Sequence, residues 1–216
     1  MMMNMEKTYN PKVFIPSETL GKLKRIEEEN IPYYFPYETL KNVVNFLLED
    51  QSESCTFCGA FFHPLNSFYY IDKFSQIKPK NASINGINVS KKEWGNYTQD
   101  ICNMGRFTAI YIHKHPGIGE YSTILSGTDK NDWEELEKVP GKKMLYAILS
   151  SDGQYIRFYS KREFTIIVEK AELLKEEIID NYITKVFKVR LTDFKKKSKL
   201  KNRLLRLKQR RKEAKI

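Results

Sequence analysis

The stretch FTAIYIHKHP, residues 107–116, decides the architecture of this chain. Apart from Ala109, its first six residues are β-branched or aromatic, which predicts a strand. Because side chains alternate along a strand, His113 and His115 would project from the same face at its end. Pro116 then begins a turn. The pattern predicts a strand that ends in two imidazoles pointing the same way.

A second polar pair, Ser126 and Asp129, follows this turn. If the chain turns back and brings Asp129 to the two histidines, two imidazole nitrogens and one carboxylate oxygen surround a divalent metal. Three protein ligands leave a fourth position for water, which is the arrangement of a catalytic zinc site. The same ligand types also suit non-haem iron. A simpler interpretation makes Ser126-x-x-Asp129 a helix capping box.

These pairs resemble the metal-binding motif of the JAMM (MPN+) metalloproteases, a family of zinc peptidases and isopeptidases. The corresponding residues here are His113, His115 and Pro116, then Ser126 and Asp129, and Glu53 at a helix-to-strand junction upstream. A similar order of elements extends over about residues 13–168. The resemblance implies an α/β fold of the MPN (JAB) type, with a mixed, mostly antiparallel curved sheet flanked by helices.

The resemblance also implies a role for each residue of the motif. His113, His115 and Asp129 would be the ligands of Zn2+. Glu53 would act as the general base that takes a proton from the water at the metal and passes it to the departing amine. Ser126 would donate a hydrogen bond to the oxyanion that forms on the scissile carbonyl.

The chain departs from the family pattern in two places. Thirteen residues separate His115 from Asp129, a longer loop than the family has. Such an insertion costs little, because the entropy of loop closure grows slowly with length. Where the family has glycine three positions after its glutamate, this chain has Thr56, so Glu49 is an alternative to Glu53 as the catalytic carboxylate.

Charge divides the chain into a body over residues 1–184 and a basic tail over residues 185–216. The tail has fifteen Lys or Arg residues and two acidic residues, a net charge of +13, whereas the whole chain has +10. The body is therefore mildly acidic. We predict a catalytic domain followed by a basic helical C-terminal tail.

The tail has leucines at positions 200, 204 and 207, the spacing of one face of an amphipathic helix. Such a helix can dock on the body or bind an anionic membrane or a partner protein. Through residues 195–215 it can also contact a polyanion. It has no aromatic residues to stack on bases, so any contact with nucleic acid would be electrostatic and largely independent of sequence.

The three cysteines favour a reducing, cytoplasmic location, since their number is odd and the amino terminus lacks a secretory-type apolar segment. No apolar run is long enough for a transmembrane helix. Cys55-x-x-Cys58 could suggest a zinc knuckle with His63 and Cys102. Residues three apart on a strand face opposite sides, however, so we expect core cysteines.

The rest of the sequence predicts the scaffold of an α/β domain. Predicted helices run over about 18–29 after Ser17, over 37–50, and from Ser90-x-x-Glu93 with Trp94, Tyr97 and Ile101 inward. Strands are predicted over about 55–62 and 68–77, a surface loop over 81–89, and an antiparallel hairpin over 145–159.

The resemblance implies a protease that hydrolyses peptide or isopeptide bonds of ubiquitin or a ubiquitin-like modifier. The loops over 81–89 and 117–125 are candidates for gripping the substrate tail, because binding residues concentrate on loops carried by a rigid scaffold. Two other classes stay open. One is a metal-free MPN scaffold that only assembles complexes. The other is similar to the RadC proteins, in which the basic tail would bring the body to nucleic acid.

Overall fold

The computed structural model describes residues 31–49, 53–80, 82–83, 86–87, 89–137 and 144–190. The helix predicted over 18–29 and the basic helix predicted over 195–215 lie outside these residues. The loop predicted over 81–89 is described in part and contains a hairpin of two very short strands.

Eleven strands and three α-helices are described. The strands are β1 (Tyr33–Phe35), β2 (Cys55–His63), β3 (Phe68–Phe74), β4 (Ala82–Ser83), β5 (Gly86–Ile87), β6 (Phe107–Lys114), β7 (Leu145–Leu149), β8 (Tyr155–Ser160), β9 (Ile166–Val168), β10 (Ala171–Ile179) and β11 (Tyr182–Val189). The helices are α1 (Tyr37–Leu47), α2 (Lys91–Asn103) and α3 (Gly127–Glu137), with a short 3₁₀ helix at Glu120–Thr123.

Nine strands form one sheet in the order β10, β11, β8, β7, β6, β2, β3, β1, β9. Five of its eight neighbouring pairs are antiparallel, and β6–β7, β1–β3 and β1–β9 are parallel. The two edge strands, β9 and β10, are joined by only Glu169 and Lys170, so the sheet curves until it is nearly closed. The prediction of a mixed, mostly antiparallel curved sheet with flanking helices is confirmed.

Helix α1 begins where the sequence predicts and buries one apolar face. Leu40, Val43, Val44 and Leu47 are fully buried, and each such side chain stabilises the fold by about 1.5 to 3 kcal/mol. No side chain of the helix caps its amino end; instead the Tyr37 backbone N–H donates to Glu169 Oε2 at 2.9 Å. The connection between the two edge strands thus also anchors this helix.

Helix α2 begins with the predicted capping box. Ser90 Oγ accepts from the Glu93 backbone N–H at 3.3 Å, and the Ser90 N–H donates to Glu93 Oε2 at 3.0 Å. Trp94, Tyr97 and Ile101 are buried, as the periodicity predicts. These three side chains direct the helix against the face of the sheet that carries the histidines.

The two faces of the sheet have different cores. A mainly aliphatic cluster, called the aliphatic cluster below, includes the apolar face of α1 with Ile110, Ile112 and Leu149. Its buried members include phenylalanines but no tyrosine or tryptophan, and the partly buried Tyr33 and Tyr69 pack against it. An aromatic cluster on the opposite face includes Cys55, Phe57, Trp94, Tyr97, Tyr111, Trp133, Tyr146, Tyr159 and Tyr182. Alternation along β6 sends Ile110 and Ile112 to the first cluster and Tyr111 to the second.

The boundary predicted between the body and the basic tail is wrong. Strand β11 continues to Val189 and pairs with β8 and β10, so residues 185–189 belong to the sheet. Counting charge had assigned Lys185 and Lys188 to the tail. In the strand they flank the buried Val186 and Phe187, and the pairing with β8 and β10 makes all four residues part of the sheet.

The cysteines occupy the positions that strand alternation predicts. Cys55 lies in the aromatic cluster and Cys58 in the aliphatic cluster, on opposite faces of β2. They cannot bind one metal ion together, and their role as core residues is confirmed. Cys102 is exposed, and all three thiols are free.

Within the described part of the chain, none of the helices is long and apolar enough to span a bilayer.

Candidate metal centre

The two histidines stand at the end of β6, in the middle of the sheet. The backbone is held on both sides there: the Lys114 N–H donates to the Ser54 carbonyl at 2.8 Å, and the His115 N–H donates to the Leu149 carbonyl at 2.9 Å. The rings of His113 and His115 have centroids 4.8 Å apart. The prediction that they share one face is confirmed.

Asp129 reaches the same place from the first turn of α3. Its Oδ2 accepts from the Ser126 backbone N–H at 2.9 Å and from the Ser126 hydroxyl at 2.5 Å, while the Asp129 N–H donates to Ser126 Oγ at 3.3 Å. Ser126 and Asp129 therefore form the capping box of the simpler interpretation. The box also orients the carboxylate toward the histidines, so the two interpretations of the motif are compatible.

The three predicted ligands converge. Asp129 Oδ1 lies 3.1 Å from His113 Nε2, and Asp129 Oδ2 lies 3.1 Å from His115 Nε2. One nitrogen or oxygen of each residue falls within 4.8 Å of the others. With bonds of about 2.0 to 2.1 Å, two ligand atoms of a tetrahedral zinc ion lie about 3.3 Å apart. The two histidine-to-aspartate distances are close to that value.

The hydrogen bonding of His113 also fits a metal ligand. Its side chain is 1% exposed, yet neither ring nitrogen has a hydrogen-bond partner among the described residues. Although Nε2 is near Asp129 Oδ1, the two groups are outside hydrogen-bond geometry. Buried polar atoms are nearly always paired. Coordination of a cation would satisfy Nε2 and remove this anomaly.

His115 shows the outer contact that is usual for a ligating histidine. Its Nδ1 lies 2.8 Å from the Ser122 carbonyl oxygen. A carbonyl oxygen only accepts, so Nδ1–H donates to it. Nε2 lies 3.1 Å from Asp129 Oδ2 and donates to it when the ring is doubly protonated; a bound cation would take the place of that second proton. A hydrogen bond of this kind fixes the tautomer and the orientation of a metal-binding imidazole.

The electrostatics of the site favour a charged carboxylate beside imidazoles. Burial acts to raise the pKa of Asp129, but the two adjacent imidazoles and Ser126 outweigh it and hold that pKa well below its usual range. Burial acts to lower the pKa of His115, but the hydrogen bond and the negative charge of Asp129 raise it overall. Asp129 is therefore the anionic member of the candidate ligand set.

Glu53 lies across the β2–β6 pair from the histidines. The register pairs Cys55 with His113 and continues through the hydrogen bond between Ser54 and Lys114, which brings Glu53 opposite His115. Alternation directs the side chains of these odd-numbered residues to one face. Burial raises the pKa of Glu53 above its ordinary value, the two imidazoles oppose that shift, and Asp129 adds to it.

The alternative carboxylate, Glu49, has a different environment. It is 61% exposed and forms an ion pair with Lys78 at 3.3 Å. Glu53 is 8% exposed and interacts electrostatically with all three candidate ligands. The placement of the two side chains thus favours Glu53 over Glu49 as the group that faces the site.

Thr56, which replaces the family glycine, has a structural role. Its side chain is fully buried, and its hydroxyl donates to the Ser75 carbonyl at 2.5 Å. Close packing against α2 instead requires glycine at position 59, where a Cβ atom would lie 2.8 Å from Ile101 Cγ2. The departure leaves the register of β2 against β6, and hence the position of Glu53, intact.

Sequence reasoning missed the groups that hold the site from outside. The Ser122 carbonyl supports His115, and Trp133 packs edge-on against the His113 ring with centroids 6.1 Å apart. No residue pattern marks Ser122, because its contribution comes from a backbone oxygen.

The chain matches no protein-family model and no curated protein. Among solved structures it is similar to the solution structure of protein DSY2949 from Desulfitobacterium hafniense, at 13% identity and a TM-score of 0.47, over 64% of this chain and 92% of that chain. A similarity at this level carries no conclusion. The case for a metal centre depends on the residues and geometry of this chain.

Proposed function

We propose that the protein is a zinc-dependent metalloprotease of the JAMM type, which hydrolyses peptide or isopeptide bonds of ubiquitin or a ubiquitin-like modifier. The observation that carries the proposal is the convergence of His113, His115 and Asp129, with Glu53 two residues before the neighbouring strand β2. An MPN fold is part of the proposal, and the mixed, mostly antiparallel curved sheet is compatible with it.

Zinc held by two imidazoles and one carboxylate supplies a Lewis acid that lowers the pKa of a coordinated water to about 7. Glu53 then accepts the proton of the attacking water and returns it to the departing amine nitrogen. A carboxyl group with a raised pKa suits this exchange, because its affinity for the proton lies closer to neutral pH.

Ser126 would stabilise the negative charge that develops on the scissile carbonyl oxygen. Its hydroxyl donates to Asp129 in the structure, and the residue is exposed at the start of α3. If Asp129 held a cation, the Ser126 hydroxyl would be free to donate to the oxyanion instead. Loss of one such donor typically slows turnover by about a hundredfold or more.

The substrate proposal rests on the loop over residues 117–125, which leads from the histidines to α3. This loop exposes Ile118 (75%) and Tyr121 (83%) next to the metal ligands. Apolar side chains beside the site favour a substrate tail that carries apolar residues. If shortening the loop leaves peptide affinity unchanged, this assignment is wrong. A cytoplasmic location is part of the proposal, since the three thiols are free.

Two other functions make different predictions. A RadC-like protein would bind DNA in a salt-dependent way, and truncation before Lys195 would abolish that binding. The residues concerned lie outside the described part of the chain. A metal-free scaffold would bind no zinc. The unpaired nitrogens of buried His113 favour the metalloprotease over the scaffold.

The first test is the metal content of the purified protein. We expect about one zinc per chain in the parent, as a three-ligand site requires, and little in His113→Ala. The matched control is His63→Ala, because His63 stacks on Phe68 away from the candidate ligands. Elemental analysis decides the outcome, and equal zinc in the parent and His113→Ala would refute the site.

The second test separates metal binding from catalysis. Glu53→Gln should keep its zinc and lose cleavage of an isopeptide-linked substrate, because the amide cannot accept the proton. Glu49→Gln is the matched control and should cleave like the parent. If Glu53→Gln cleaves normally while Glu49→Gln does not, the roles of the two glutamates are reversed.

A further inference from the structure

A buried arginine lies beside the loop that contacts the metal ligands. Arg157 of β8 is 1% exposed, and an arginine side chain brings a positive charge into the interior. Such a charge is tolerated inside a protein only where partners surround it. Its partners are Glu177, Glu120 at 3.6 Å, Thr123 Oγ1 at 3.2 Å and Thr184 Oγ1 at 3.4 Å.

Two of these four partners belong to the 3₁₀ helix of the loop. Arg157 holds Glu120 and Thr123, which are the first and last residues of that helix. Tyr159, two residues further along β8, donates its hydroxyl to the Thr123 carbonyl at 2.6 Å. Lys175 adds a second cation, with Nζ 2.8 Å from Glu120 Oε1. The sheet thus clamps the loop at both ends of its helical turn.

The clamped turn contains the backbone oxygen that orients a metal ligand. Ser122 lies between Glu120 and Thr123, and its carbonyl oxygen is 2.8 Å from His115 Nδ1. Gly117 allows the loop to fold this tightly, because a Cβ atom there would lie 2.7 Å from Ser122 Cβ. A shift of the turn would remove the acceptor that keeps the proton on Nδ1.

Stability alone does not explain a guanidinium at this position. Apolar residues of similar volume often stabilise a protein as well as a buried ion pair does. An arginine adds a fixed geometry, since the donors of its planar guanidinium hold several partners in a set arrangement. Here the partners are the residues on either side of the oxygen that faces His115.

We propose that Arg157 is a positioning residue of the metal centre, which holds the turn over residues 120–123 so that the Ser122 carbonyl fixes the Nδ1–H tautomer of His115. Nε2 is then presented to the metal. This inference rests on the proposed metal-binding function. Arg157 itself contacts neither the metal nor the reacting atoms.

The test uses Arg157→Met, which fills similar space without charge. Zinc affinity, measured by competition with a chromophoric chelator, should fall by about 10- to 100-fold, the usual effect of losing an outer contact to a metal ligand. Arg157→Lys keeps a positive charge but lacks the planar guanidinium, so its zinc affinity should lie between those of Arg157→Met and the parent. The matched control is Arg190→Met, which removes an arginine that is 71% exposed and should bind zinc like the parent.

A second readout distinguishes positioning from general destabilisation. Imidazole ¹H–¹⁵N spectra of the metal-free protein should show a slowly exchanging, hydrogen-bonded His115 Nδ1–H in the parent, because the Ser122 carbonyl accepts from it, and a rapidly exchanging one in Arg157→Met. If Arg157→Met does not fold, Gly117→Ala displaces Ser122 directly and should speed the exchange in the same way. An unchanged Nδ1–H signal in the variant that folds overturns the inference.

The outcomes also separate this inference from the proposed function. A parent that binds no divalent metal overturns both. If the parent binds zinc and Arg157→Met binds it equally well, only the positioning role is refuted. A parent that binds zinc but cleaves no substrate refutes the peptidase. The positioning role is then supported if Arg157→Met loses affinity.

Discussion

On one face of β6, Ile110 and Ile112 pack into the aliphatic cluster with α1; on the other, Tyr111 leads into the aromatic cluster and then to His113. Both faces are equally well buried along the strand. They differ in chemistry, because the buried members of the aliphatic cluster include no tyrosine or tryptophan and those of the aromatic cluster include seven. All the candidate ligands lie on the aromatic side.

The difference teaches how a core can support a site. Aliphatic side chains stabilise the fold by removing apolar surface from water, but they make no hydrogen bonds that could fix the orientation of a neighbour. Tyrosine and tryptophan bury similar areas and also carry a polar group that needs a partner. Tyr159 uses its hydroxyl to hold the loop beside His115, and Trp133 stacks on Tyr146 with centroids 4.4 Å apart while walling one side of His113. Both faces stabilise the fold, and the aromatic face also orients the candidate ligands.

The largest expected effect is a loss of zinc affinity when a candidate ligand on the aromatic face is replaced. Asp129→Asn should weaken zinc binding by more than the roughly 100-fold that loss of an outer contact causes, because it removes the anionic ligand itself. Competition with a chelator measures this change. Asp132→Asn, one turn further along α3, is the control and should have a much smaller effect. Equal effects of the two variants would contradict the assignment of Asp129.

The next effect concerns the aliphatic side. Ile112→Ala should lower the free energy of unfolding by about 2 to 5 kcal/mol, since the side chain is fully buried and leaves a cavity. Zinc affinity should stay at the parent value, because the change points away from the site. Urea unfolding and chelator competition measure the two quantities.

The control for Ile112→Ala is Ile178→Ala, at a residue that is 75% exposed. Its free energy of unfolding should change by no more than about 0.5 kcal/mol. If Ile112→Ala lowers zinc affinity as strongly as it lowers stability, the two faces are coupled and the comparison fails.

The smallest effect is on the pH dependence of stability, to which His115 and Asp129 contribute with opposite signs. Without metal, the pKa of His115 is higher in the folded protein than the value of about 6.5 expected in the unfolded chain. The stabilisation that results is fully present below about 6.5 and is lost as pH rises through the folded pKa. The pKa of Asp129 is lower in the folded protein than in the unfolded chain. Its contribution to stability is present above a pH of about 3.9 and is lost as pH falls through the folded pKa. The pair should therefore contribute most between these two values.

Zinc should reverse the trend, because it binds the neutral imidazole and its affinity rises with pH. Thermal unfolding in chelator and in excess zinc, over a pH series from 5.5 to 8, measures both curves. The gain from zinc should grow with pH while the contribution of the pair in chelator declines. If the pH dependences in chelator and in excess zinc run parallel, zinc does not bind through His115 and Asp129.

Several features could be predicted because they depend on neighbours in sequence. Strand alternation placed His113 and His115 on one face, and the spacing of Ser90 and Glu93 predicted the box that starts α2. The same reasoning separated Cys55 from Cys58. These are effects of backbone geometry over one to four residues, and they survive in any tertiary context that keeps the element.

Features that involve distant residues had to come from the folded structure. Glu53 faces His115 only because β2 and β6 pair in one register, and a slip of one residue would turn it to the other side. The charge pattern misplaced the body–tail boundary, because the pairing of β11 with β8 outweighs the local excess of lysine.

The local sequence therefore marks two imidazoles and the Ser126–Asp129 pair of the candidate site, whereas Glu53 lies far away in the chain. Their arrangement about one point requires contacts between segments far apart in sequence, such as that of Arg157 with Glu120 and Thr123. Such contacts depend on the path of the whole sheet. The Ser122 oxygen belongs to the backbone, which is chemically alike at nearly every residue, so its role exists only once the chain has folded.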